Sequence, residues 1–145
     1  MDGQAWTKTN EGLSLVSYQD TLGFYTIGYG HKLGNDSSLA GTSWTQEQAD
    51  EAFQEDYTAA IDEALADVGG VCWAKLNAVR QCVITDMAFQ LGEAGLNGFH
   101  HMIAALLVTD WQTAAAEMLA STYATQAPNR AKANAAALIS GAWPA

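Results

Sequence analysis

The chain has 145 residues, 49% of them apolar and only 2 of them proline, which suits one packed domain and excludes a disordered or collagen-like chain. Its 16 Asp and Glu against 6 Lys and Arg leave a net charge of −10, which argues against nucleic acid or an anionic membrane surface as partner, since both attract clustered cations. Charged residues make up 15% against about 25% in an average chain, and cations are the missing part.

A short helix is expected over residues 3–11, stopped at Gly12, a residue that accepts the left-handed conformation beyond a helix end. Between Leu13 and Leu33 the chain becomes rich in Tyr, Phe, Thr, Ile and Gly, with turn residues Asp20-Thr21-Leu22-Gly23. That pattern predicts two or three short antiparallel strands joined by tight turns, with a loop over 34–38. Thr45 and Gln48 form a capping-box signature, with Trp44 in the staple position. Ala49, Phe53, Tyr57, Ile61 and Leu65 then form one stripe of an amphipathic helix over about 45–67. Gly69-Gly70 ends it. A second long helix is predicted over 73–91, with Leu76, Val79, Val83, Met87 and Leu91 on its inner face. Shorter helices follow near 94–98, 100–108 and 110–121, and the last runs from Pro128 to Gly141. The class is α+β: a small N-terminal sheet, a helical remainder, and a cleft between two lobes as the expected binding site.

No stretch approaches the ~18–20 apolar residues of a membrane span. The N-terminal run MDGQAWTKTNEG has no basic segment followed by an apolar one, so no signal peptide is expected. The residues between Cys72 and Cys82 read as helix, which puts the two about 15 Å apart at ~1.5 Å per residue, too far for a disulfide. With His31, His100 and His101 they show no zinc-ligand spacing, and neither metal nor cofactor is expected.

Three residues offer chemistry. Glu11 sits in the last turn of the first helix, where the macrodipole disfavours a carboxylate. It is either a tolerated exposed glutamate or a carboxyl kept protonated, as a general acid requires. Asp20 lies in the turn, where Asp is common for local reasons, and Thr26 follows on the next strand. If the strands pair around that turn, two carboxyls and a hydroxyl meet, the set that glycoside hydrolysis uses to hold a water between acid and base.

The runs Glu11-Gly12-Leu13, Tyr18-Gln19-Asp20-Thr21 and Tyr25-Thr26-Ile27-Gly28-Tyr29-Gly30-His31 resemble the catalytic segment of the phage-type lysozymes. The resemblance continues through Ala78-Val79-Arg80, Met87-Ala88-Phe89-Gln90-Leu91-Gly92-Glu93, Gly98-Phe99 and Pro128-Asn129-Arg130-Ala131-Lys132 to Gly141-Ala142-Trp143, collinear over nearly the whole chain. EG-x7-D-x5-T followed by GxGH is a specific signal; the main departure is a shortened connection before the helix at 45–67. The resemblance implies a lysozyme-like fold in a single catalytic domain, 1–145. Its N-terminal lobe would span about 12–50 and its linking helix about 45–67, with a helical lobe of about 68–145 plus 1–11. From the length, no appended wall-binding module of ordinary size is expected.

The implied activity is that of a peptidoglycan muramidase, cutting the β-1,4 bond between N-acetylmuramic acid and N-acetylglucosamine with inversion. Glu11 matches the general acid, Asp20 the opposing carboxylate, Thr26 the residue that positions water, and Arg130 the arginine that orients Glu11. Gly30, Phe89 and Gln90 match cleft-lining positions, and Tyr123 stands as a substrate-binding residue where the family's pattern has tryptophan. His31 and Asp56 match a structural pair. Lys32 departs from the pattern by replacing an apolar residue beside the cleft, and Met102 and Glu117 stand where the family's polar substrate contacts lie. Of the two carboxyls, Glu11 is expected to be the more readily protonated.

The implied partner is the glycan strand, met by a monomer with no membrane insertion. The implied setting is a phage endolysin made in the host cytoplasm and acting on the wall. A tail-associated or prophage enzyme would look the same over these residues. The rival readings are a lytic transglycosylase, which needs one carboxylic acid, and a non-catalytic binding module with the same fold. Lysozymes of this kind are typically basic, so an acidic one is expected to work best where salt or mildly acidic pH suppresses repulsion from the carboxylates of the wall.

Overall fold

The computed structural model describes the backbone of residues 1–145 and every side chain except that of Glu93. Asp2 starts the first helix: its carboxylate accepts from the Ala5 amide at 2.8 Å, filling one of the unpaired donors of the first turn. Helix α1 (Gly3–Glu11) then runs to Gly12, whose φ of 70° turns the chain out of the helix.

The predicted strands form one antiparallel sheet in the order β1 (Ser14–Gln19), β2 (Tyr25–Gly28), β3 (His31–Gly34). Tyr18 pairs with Thr26, and Thr26 pairs in turn with Lys32. Because cross-strand partners project from the same face, these three side chains form one row across the sheet. The register is irregular between Ser14 and Tyr18, a bulge that re-aims the end of β1.

The capping box at Thr45 and Gln48 is formed in both directions, and α2 (Gln46–Val68) follows it. Its buried face is not the predicted stripe throughout. Ala49, Phe53 and Tyr57 are buried, but the line then passes to Ala60, Ala64 and Val68, leaving Leu65 37% exposed. Strict four-residue steps overshoot a full helical turn by about 40° each, so a straight line of them walks off the core.

The predicted helix over 73–91 is two helices, α3 (Gly70–Lys75) and α4 (Ala78–Leu91). Leu76 is extended between them, and Asn77 starts α4 by accepting from the Arg80 amide at 2.9 Å. The continuous helix assumed between Cys72 and Cys82 is therefore interrupted; both thiols are free. Val83, Ile84, Thr85, Asp86, Met87 and Ala88 are all buried, so α4 is the central rod of the helical lobe, packed by α1 and α2. Full burial of side chains such as Val83, Ile84 and Met87 is worth about 1.5–3 kcal/mol each.

The helix expected near 94–98 is a single 3-10 turn at Gly92–Ala94. Helices α5 (His100–Leu107), α6 (Trp111–Leu119), the unpredicted α7 (Thr122–Gln126) and α8 (Pro128–Ser140) complete the lobe. Packing of α2 against β2, β3 and α4 joins the sheet to the helices. The architecture is the expected α+β class.

Candidate active site

A cleft of about 770 Å³ opens between the sheet and the helical lobe, and Glu11, Asp20, Thr26, Gly30, Phe89, Gln90 and Arg130 all line it. The row Tyr18, Thr26 and Lys32 forms its sheet wall. Thr26 is only 4% exposed. Asp20 is locked in its turn, where Oδ1 accepts from the amides of Leu22 and Phe24 at 2.9 Å each. Oδ2 has the Lys32 ammonium at 4.0 Å, and that ammonium also sits over the Phe24 ring. Asp20 is thus an acceptor-saturated carboxylate on one side and a cleft-facing one on the other.

Glu11 joins the cleft lining from the end of α1. Its Oε1 accepts from Arg130 Nη1 at 2.7 Å. Its Oε2 faces Gly30, where any Cβ would overlap the carboxylate. Gly30 also holds a φ of 71°, so both space and backbone require glycine. Burial pushes the Glu11 carboxyl above its usual range. The charge and hydrogen bond of Arg130 pull it down, while the Asp86 carboxylate adds to the rise. Burial is the largest of these influences.

Sequence reasoning missed Asp86. It is fully buried in α4, and its carboxylate accepts from Arg130 Nε at 2.9 Å and Nη2 at 2.8 Å. Thr7 and Asn134 donate to it at 2.7 and 2.8 Å. Burial opposes the charge of Arg130, but the bonds and charge of Asp86, and then of Glu11, outweigh it and hold the guanidinium firmly protonated. The available signal was one aspartate inside the apolar run Val83–Phe89, which needs a buried cation as partner. Tyr18 also lacked a role; burial and the nearby Glu11 and Asp20 carboxylates keep its phenol protonated.

Tyr123 is corrected: it is 1% exposed, lies outside the cleft wall, and accepts from Asn134 Nδ2 at 2.7 Å. Burial, aided by the Asp86 charge, pushes its phenol up to about 12. Its hydroxyl is satisfied within the core by the same Asn134 amide that donates to Asp86. His31 Nδ1 lies 2.7 Å from Asp56 Oδ2, joining β3 to α2. Met102 and Glu117 line a separate, smaller depression in the helical lobe. The buried Oε1 of Gln90 has no hydrogen-bond partner among the described residues. Among those residues no group of three or more His, Cys, Asp or Glu is arranged to hold a metal ion.

Residues 8–136 match the family model described as phage lysozyme. The peptidoglycan hydrolase gp36 of Pseudomonas phage phiKMV is 36% identical over 119 residues, covering 81% of this chain but 13% of that protein. The pre-baseplate central spike protein Gp5 of Enterobacteria phage T4 is 30% identical over 131 residues, 74% of this chain and 22% of its own. The probable T4-type lysozyme 1 of Dictyostelium discoideum is 27% identical over 144 residues, 85% of each chain. The chain therefore spans a small part of the two phage relatives and most of the third.

Proposed function

The chain belongs to the phage lysozyme family, and on that footing we propose that it is a peptidoglycan muramidase. The observation that carries this reading is that Glu11, Asp20 and Thr26 all line one cleft. The bond cut is the β-1,4 linkage between N-acetylmuramic acid and N-acetylglucosamine. Glu11 donates its proton from Oε2 to the glycosidic oxygen as the bond to the anomeric carbon breaks. A water held by Asp20 and the Thr26 hydroxyl attacks that carbon from the opposite face, and its proton passes to Asp20, so configuration inverts. Arg130 receives the new Glu11 carboxylate, to which it is already bonded. Gln90 lines the cleft beside Phe89. Phe89 offers an apolar ring for a sugar face.

The proposed substrate is the glycan strand, bound by a monomer at the wall after release from the cell that made it. No helix among the described residues is long and apolar enough to cross a membrane. Glu11→Gln and Asp20→Asn are each expected to slow lysis of outer-membrane-stripped Gram-negative cells on the order of 10²-fold or more. Parental lysis by both variants sinks the reading. Mass spectrometry of the muropeptides separates hydrolysis, which leaves reducing ends, from a transglycosylase, which leaves anhydro-sugars.

A further inference from the structure

We propose that Asp86 is a positioning residue for the reaction. It anchors the Arg130 guanidinium and counters its charge, so that Arg130 orients Glu11 without holding it as an obligate anion. The inference rests on the reading of Glu11 as the general acid.

A general acid bonded to arginine poses a problem, because a guanidinium 2.7 Å away favours the carboxylate over the acid. The charge count of the buried cluster resolves it. Arg130, 9% exposed, contacts two carboxylates: Glu11, 17% exposed, and Asp86, 0% exposed. With Glu11 protonated, one cation and one anion remain, and the cluster is neutral. With Glu11 ionised, it carries an excess negative charge away from water. Replacing Asp86 by a neutral group reverses this balance, since Arg130 and ionised Glu11 would then be the neutral pair.

The geometry divides the guanidinium in the same way. Nε and Nη2 bind Asp86 as a fork, and Nη1 alone reaches Glu11. A bidentate pair is the stronger and more directional of the two contacts. Asp86 is itself held by Thr7 and Asn10 from α1 and by Asn134 from α8, so the anchor cannot swing toward the cleft. The other ionisable groups facing the cluster are phenols: Tyr123 from α7 and Tyr57 from α2 toward Asp86, and Tyr18 from β1 toward Glu11, with Asp20 beyond it. Among the described residues, Arg130 is the cation that acts on Glu11.

The test is Asp86→Asn, which keeps the shape of the side chain and removes its charge. The Glu11 carboxyl is followed by carbon-detected NMR titration, beside the pH profile of lysis. The expected result is a Glu11 midpoint lower by about one unit, with the alkaline limb of activity moving down by the same amount. A residue with only a packing role would lower the melting temperature and leave the midpoint in place. A midpoint that is unmoved or raised overturns the proposal.

Should the variant fail to fold, the unaltered protein provides the second measurement. As pH passes through the Glu11 midpoint, the Nη1 protons of Arg130 are expected to shift while the Nε proton stays fixed on Asp86. An Nε resonance that moves with Glu11 overturns the anchoring. Both NMR readouts are independent of activity, so their failure leaves the muramidase reading standing. That reading fails instead on the Glu11→Gln lysis assay.

Discussion

Gly30 shows how narrowly Glu11 is placed. A methyl group there meets the Glu11 carboxylate, and the φ of 71° strains any other residue. Gly30→Ala is expected to cost about 1–3 kcal/mol of stability and to displace Glu11, lowering kcat more than it changes KM; thermal melting and lysis kinetics check the two effects. Glu11 also ties function to stability. Its carboxyl is raised above the ordinary 4.5, so the folded state binds this proton more tightly than the unfolded one. The stability that this confers is present below 4.5 and is lost as pH rises through the folded midpoint. Glu11→Gln is therefore expected to gain stability relative to the parent between pH 4.5 and neutrality. Urea unfolding at both ends of that window reads the difference, and a constant offset would count against burial as the main influence on Glu11.

The elements place these residues by their ends and registers. Glu11 closes α1, Asp20 sits in the turn that follows β1, and Thr26 occupies the central strand with partners on both sides. From the helical lobe α4 supplies Phe89 and Gln90 to the cleft from its last turn, and Asp86 to the Arg130 cluster from its buried middle. The register of α4 thus sets both the anchor and the cleft lining, and that register begins at Asn77. Asn77 caps the Arg80 amide and donates to the Gly141 carbonyl at 2.9 Å. Arg80 in turn donates to the carbonyls of Leu138 and Ile139 at the end of α8, where a cation suits the macrodipole. Asn77→Ala is expected to lose about 1–2 kcal/mol in denaturant unfolding with little change in kcat. Asn77→Asp keeps the capping oxygen and is expected to recover most of that loss.

Across the whole molecule the net charge of −10 finds few cations free to face a ligand. Arg130 is spent inside the cluster, Lys8 pairs with Asp50, and Arg80 lies on the Trp111 ring. Lys32 is the exposed cation on the cleft wall, where Asp20 and Phe24 hold it. A carboxylate-bearing polymer is therefore repelled at long range and attracted locally at one point. Lysis is expected to speed up as salt rises from low to moderate concentration, because screening removes the repulsion first. A steep fall over that range would contradict it. Lys32→Leu is expected to raise KM several-fold at low salt, and initial rates against wall concentration measure that change.

The sheet, the helix starts at Thr45 and Pro128, and the cleft residues Glu11, Asp20, Thr26, Gly30, Phe89, Gln90 and Arg130 were legible from local pattern and family likeness. Turn residues, caps and short motifs act over a few positions and leave a trace in the chain. The two-part nature of 73–91 was not legible, because Leu76 fits the apolar period although it lies in an extended break. The drift of the α2 face to Ala60 and Ala64 was hidden by the larger Ile61 and Leu65. Tyr123 looked available for ligand until tertiary packing enclosed it. Asp86 went unread for the same reason: its partners Thr7, Arg130 and Asn134 lie 79, 44 and 48 residues away. Composition and motif determine which acids and bases the chain carries. Only three-dimensional packing decides which charges are removed from water together, and that decides where the proton rests.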